Sequence, residues 1–186
     1  MTIAPARGVL PGQPHESQLR SSDQPEQFAL ASERAALESF LDAQREGLIR
    51  KIQGVDDATA RQAPTASSLS LLGLVKHATM WERRWFEVIL RGGESGEDWP
   101  VVTGQHQSTF VVREHDTLDD WVSKYREQIA LSRAVAESLD LDSSSARPDL
   151  IDCNVRYVMF HMIEETARHA GHADIIRETL DGSRWI

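Results

Sequence analysis

The chain has 186 residues, 40% of them hydrophobic and 26% charged, with 11 glycines and 7 prolines, the composition of an ordinary globular protein able to bury a core without metals or disulfides. Its 29 acidic and 20 basic residues leave a formal charge of −9, the wrong sign for a protein that grips phosphate backbones, so nucleic acid is excluded as the main partner. A single cysteine, Cys153, excludes an internal disulfide framework and fits a reducing cytoplasm.

No apolar run approaches the roughly 20 residues of a membrane helix, and the N-terminal residues have no basic and apolar leader pattern. A soluble cytoplasmic protein without a membrane partner is therefore expected. Residues 1–27 hold four of the seven prolines (Pro5, Pro11, Pro14 and Pro25) among Ser, Gln and Gly, a composition expected to form a flexible arm ahead of one helical domain over residues 28–186.

From about Gln27 to Gln53 the apolar residues Phe28, Leu37, Phe40, Leu41, Leu48, Ile49 and Ile52 recur at three- and four-residue steps, which predicts a first amphipathic helix. Ser32 is placed to cap its start and Gly54 to stop it. Ser68 or Ser70 opens a second helix through SLLGLVKHATMWERRWFEVILRGG, closed by Gly92 and Gly93. Residues 92–116 lack helical periodicity and contain the β-leaning VVTGQHQSTFVV, so a long connection with a short strand-like stretch is expected. Thr117 begins a T-L-D-D capping pattern for a third helix through Leu131 and Leu139. After SSSARPD, a fourth helix runs from near Asp152–Asn154 to Asp181-Gly182. Four helices without a convincing sheet predict an all-α antiparallel four-helix bundle with a long connection between its second and third helices.

On the fourth helix, His161, Glu165, His169 and His172 follow steps of four, four and three, which puts them on one stripe. Such a stripe is either a solvated face or a group turned toward the core. On the second helix, His77 shares its face with Leu74 and Trp81, so it points inward, either as a hydrogen-bonded core residue or as a ligand. Together His77, Glu165 and His169 supply two imidazoles and one carboxylate, a set that leaves a coordination position open for water or substrate. These ligand types suit zinc first, with nickel or iron as alternatives. His161 lies two turns from His169, about 12 Å, too far to share one ion. His172, three residues after His169, remains a possible ligand and is otherwise expected to support a ligand from behind or to line the pocket. Arg84, on roughly the side of His77, either binds an anionic group or lies along the surface as a solvated arginine. The tryptophans Trp81, Trp85, Trp99 and Trp121 are read as core or pocket wall, and Cys153 is weighed as a low-pKa nucleophile. His15, His106 and His115 fall in loops.

The segments LLGLVKHATMWERRWF and HMIEETARHAGHADIIRETLDG resemble the DinB/YfiT-like superfamily of metal-binding four-helix bundles. Within it they are similar to the actinobacterial branch of mycothiol-dependent transferases and maleylpyruvate isomerases. The resemblance covers residues 28–182. It matches His77 to the histidine of the second helix, and Glu165 to the His or Glu four residues ahead of the second histidine. His169-Ala170-Gly171-His172 matches the run that this second histidine leads. Many relatives carry histidine where Glu165 stands, and the isomerases carry a further C-terminal domain. What the resemblance implies is the bundle, the metal triad, and activation of a low-molecular-weight thiol such as mycothiol for attack on a small electrophile; His172 and Arg84, from their own positions, are the catalytic candidates. The competing readings are a non-haem iron oxygenase, which shares the two-histidine, one-carboxylate set, and a non-catalytic metal-binding stress-response or interaction protein. A homodimer through a bundle face fits the aromatic content of the second helix.

Overall fold

Each long helix starts where a side chain accepts an otherwise orphaned backbone N–H. The computed structural model describes residues 32–94 and 106–184; the expected arm lies outside them. Ser32 caps α1 (Glu33–Ile52), Asp56 caps the short α2 (Asp57–Ala60), and Ser70 caps α3 (Leu71–Glu82). Thr117 caps α4 (Leu118–Glu137) and Asn154 caps α5 (Val155–Asp181). In each case the cap oxygen takes the N–H three residues on, which satisfies one of the donors a helix start leaves open. Gly182, at φ 76°, closes α5 by donating its N–H to the Glu178 carbonyl at 2.9 Å, a left-handed conformation that glycine adopts without strain.

Two elements depart from the expectations. Past Glu82, α3 continues as a π-helix over Arg83–Leu90, a wider winding that recurs at functional sites. Of the strand-like stretch expected within residues 101–112, residues 101–105 lie outside the described residues, and His106–Phe110 form a 3₁₀ turn instead of a strand, local β-propensity being overridden by tertiary context. No strand occurs among the described residues, and no described helix is long and apolar enough to cross a membrane.

The helix directions also differ from a simple alternation. At their starts α1 and α5 are joined by Arg156 Nε donating to Glu33 Oε1 at 2.6 Å, and near their ends by Arg177 Nη1 donating to the Lys51 and Gln53 carbonyls at 2.9 Å. These two helices therefore run parallel. So do α3 and α4, linked by Lys76 to Asp116 and farther along by Gln128 to Glu87, each at 2.7 Å. The first pair runs antiparallel to the second, as Arg34 of α1 donating to the Ala136 carbonyl at the far end of α4 requires. The long connection between α3 and α4 is the reason: it returns the chain along the bundle, so α4 begins at the end where α3 began.

Two apolar clusters fill the interior. One gathers Leu48, Ile49 and Ile52 with Leu71, Leu72, Leu74, Tyr125 and Ile176. The other gathers Leu37 and Leu41 with Trp81, Trp85, Phe86 and Met162. Between them along α1 and α3 lies a buried ion pair: Arg45 Nε and Nη2 donate to the two oxygens of Glu82, both at 2.7 Å, with neither residue more than 2% exposed. Farther around the same level, where α5 passes from Met162 to Ala170, the histidine stripe faces α3.

Candidate metal centre

Antiparallel crossing of α3 and α5 brings the middle of each helix together. His77 projects from α3, and Glu165 and His169 project one turn apart from α5. One ligand atom from each of the three lies within 4.8 Å of the other two, and the two imidazole rings meet edge to face at 4.6 Å. His77 and His169 are buried, while Glu165 keeps 18% of its side chain exposed, so the cluster sits just beneath the surface. The stripe is thus not a solvated face: its central residues turn inward.

The surroundings of each ligand fit a bound divalent ion. His77 Nδ1 lies 2.7 Å from the buried Thr109 hydroxyl. If that oxygen accepts the Nδ1 proton, Nε2 presents its lone pair, the arrangement that orients metal-ligating imidazoles. Phe110 stacks on one face of the His77 ring at 4.0 Å and Trp81 on the other at 4.7 Å, which fixes the ring plane. His169 Nε2 faces Glu165 Oε2 at 3.2 Å, and the other Glu165 oxygen accepts from Arg168 Nη1 at 2.6 Å. The hydrogen bond from His169, helped by Arg168, outweighs burial and holds the Glu165 carboxyl down to about 2. It is therefore an anion throughout the neutral range. Two imidazoles and one carboxylate form a donor set for zinc, nickel or iron rather than for calcium or magnesium.

A cleft of about 330 Å³ opens beside the three ligands, walled by Trp81, Arg84, Trp85, Phe110 and His161. Arg84 is 4% exposed, its guanidinium 5.7 Å from the Trp81 ring centroid, and burial pushes its pKa down. It is a cleft residue and not a surface arginine. His161 packs against Trp85 at 4.2 Å, and burial pushes its pKa down as well. His172 stands behind His169, ring centroids 5.7 Å apart, and is not part of the cleft wall. Its pKa is lowered by burial and then by His169. Burial pushes the Cys153 thiol up, the opposite of what an activated nucleophile needs.

Of the remaining candidates, Trp121 donates its indole N–H to Asp116 at 3.0 Å at the start of α4. It and His115 line a larger groove of about 650 Å³ between α3 and α4 that contains none of the three ligands. His15 and Trp99 lie outside the described residues, as does the His106 side chain.

Sequence reasoning missed Thr109 and Phe110. Both reach His77 from the 3₁₀ turn across more than thirty positions of chain, and no local spacing announces that approach. Gly73 makes it possible: a Cβ there would lie 2.7 Å from the Phe110 carbonyl oxygen, so only glycine lets the turn seat against α3. Gly73→Ala is expected to displace the turn and, with it, the oxygen that orients His77. Metal affinity should fall by about 10–100-fold, read by chelator competition, and Thr109→Val should give a loss of the same order. Unchanged affinity in both variants would remove the turn from the site.

A family model described as mycothiol-S-transferase matches residues 36–182, a span that includes all three ligand residues. Among solved structures, the chain is similar to the crystal structure of a conserved protein from Enterococcus faecalis. The TM-score is 0.63 and the identity 14%, with 82% of this chain and 99% of that one covered, a likeness of fold. No curated protein matches the chain.

Proposed function

The chain belongs to the mycothiol-S-transferase family, and from that premise we propose that it transfers a low-molecular-weight thiol, mycothiol first, to a small electrophile. The reaction would take place at a divalent ion, zinc before nickel or iron, held by His77, Glu165 and His169. The observation that carries this reading is the convergence of three ligand atoms within 4.8 Å on the wall of an open cleft. A closed site would suit storage or structure, whereas an open one suits turnover.

When bound, such an ion supplies a lowered thiol pKa, turning a group that is mostly protonated at neutral pH into a thiolate. The protein's residues do the rest. Glu165 adds negative charge that moderates the ion's pull on sulfur. Trp81 and Phe110 hold His77 in place and keep water from its ring faces. Arg84, buried in the cleft wall, pairs with an anionic group of thiol or electrophile, and His172 backs His169. In the transfer itself, sulfur bonds to the electrophilic carbon, the leaving group departs with its electron pair, and the thiol proton passes to solvent. A cytoplasmic setting suits a thiol substrate, and a homodimer would cover the exposed Phe40 and Phe160.

The test is loss of free thiol with chlorodinitrobenzene as electrophile. Metal-loaded protein should consume mycothiol faster than the uncatalysed reaction and faster than it consumes glutathione. Bound metal with no thiol consumption across a panel of electrophiles would favour the non-catalytic metal-binding role instead.

A further inference from the structure

Outside the triad, Trp85 and His161 each have a polar atom in the cleft wall that lacks a hydrogen-bond partner among the described residues. The indole Nε1 of Trp85 and the Nε2 of His161 are each closed off from solvent without one, yet the two rings are only 4.2 Å apart and both line the cleft that holds the triad. Buried polar atoms are ordinarily paired, and those that are not call for an explanation. Tyr125 and Ser132, whose hydroxyls are also unpaired, belong to the bundle interior and away from this cleft. The Trp85 and His161 nitrogens are different: they sit together where a ligand would pass.

Their place along the helix sets the scale of that ligand. His161 precedes Glu165 by one turn of α5, about 6 Å, and His169 by two, about 12 Å, so the two nitrogens lie about one turn beyond the triad along the cleft. A ligand with its sulfur at the triad meets them through the part of the molecule that follows the reacting group.

The chemistry of the pair selects the group. An indole N–H only donates, whereas an imidazole nitrogen donates or accepts according to its tautomer. A carbonyl or carboxylate oxygen satisfies both only if His161 carries its proton on Nε2. A hydroxyl satisfies both in either tautomer, accepting from Trp85 while donating to or accepting from His161. Tyr157, half exposed and with its ring parallel to that of His161 at 6.1 Å, extends the aromatic surface on which the apolar face of a sugar or polyol ring would lie. We infer that Trp85 and His161 bind a hydroxyl on the non-reacting arm of the thiol, and that they select a polyhydroxylated thiol over a bare aminothiol. This inference rests on the thiol-transfer reading above.

The experiment is titration calorimetry of metal-loaded protein with mycothiol and with free cysteine, which has the same reacting group without the hydroxylated arm. It compares wild type with Trp85→Phe and His161→Phe, each of which keeps a ring and removes the nitrogen. Each variant should bind mycothiol about tenfold more weakly, the worth of one hydrogen bond, while the Kd for cysteine stays within about twofold and the metal content is unchanged. Because the unliganded protein loses an unpaired polar atom without loss of ring bulk, His161→Phe should not melt at a lower temperature than wild type, whereas Trp85→Phe also gives up packing in the apolar cluster and should melt lower. Equal weakening for both thiols, or no weakening for either, would overturn the inference and leave the transfer reading standing. A wild type that binds neither thiol would overturn both.

Discussion

Glu82→Ala is expected to destabilise the bundle by about 3–5 kcal/mol, because it leaves the Arg45 guanidinium charged, buried and without the carboxylate that holds two of its nitrogens. Arg45 is 2% exposed and Glu82 0%, and both bonds between them measure 2.7 Å. Asp42, which accepts from Arg45 Nη1 at 2.9 Å, supplies partial compensation at the outer edge only. Replacing the pair together, with Arg45→Met and Glu82→Leu, should cost far less than the single change, since a well-packed apolar pair avoids desolvating two charges. Urea unfolding followed by circular dichroism reads both. A loss below about 1 kcal/mol in Glu82→Ala would show that the pair is not the interior tie described here.

His169→Ala is expected to lower metal affinity by more than about 100-fold, beyond the loss typical of groups that merely support a ligand, and to abolish thiol transfer with it. His169 Nε2 lies 3.2 Å from Glu165 Oε2, and its ring supplies one edge of the contact with His77. Its removal leaves only two ligands, one per helix, too few to hold an ion against competing water. Helicity should persist, because the two apolar clusters and the Arg45–Glu82 pair do not depend on it. Metal content at wild-type level in this variant would reassign the ligands.

Much of this was legible in the sequence because it is local. Ser32, Ser70, Thr117 and Asn154 mark helix starts through a contact three residues away, and Gly182 marks an end through its own φ. The steps of four between His161, Glu165 and His169 placed them on one stripe before any tertiary contact was known, and the inward face of His77 followed from its apolar neighbours. Periodicity overreached at Phe40 and Leu131, which fall on the expected apolar stripes yet are 45% and 51% exposed.

What stayed hidden is non-local. Parallel packing of α3 on α4 depends on the path of a long connection, and the π winding of Arg83–Leu90 has no repeat that distinguishes it from an α-helix over eight residues. Arg84 could be read as solvated or as a ligand-binding group until its burial was seen. The Arg45–Glu82 pair joins two helices whose charged residues look, in sequence, like ordinary solvated positions. Thr109 and Phe110 reach His77 only because Gly73 lacks a side chain.

The central claim is that His77, Glu165 and His169 hold one divalent ion. The most direct test is plasma mass spectrometry of tag-free wild-type protein, as purified and after reconstitution with zinc, nickel and iron, alongside the His77→Ala and His169→Ala variants. The account predicts about one equivalent of metal per chain in wild type and little in either variant. Wild type that retains no metal after reconstitution with all three would contradict it.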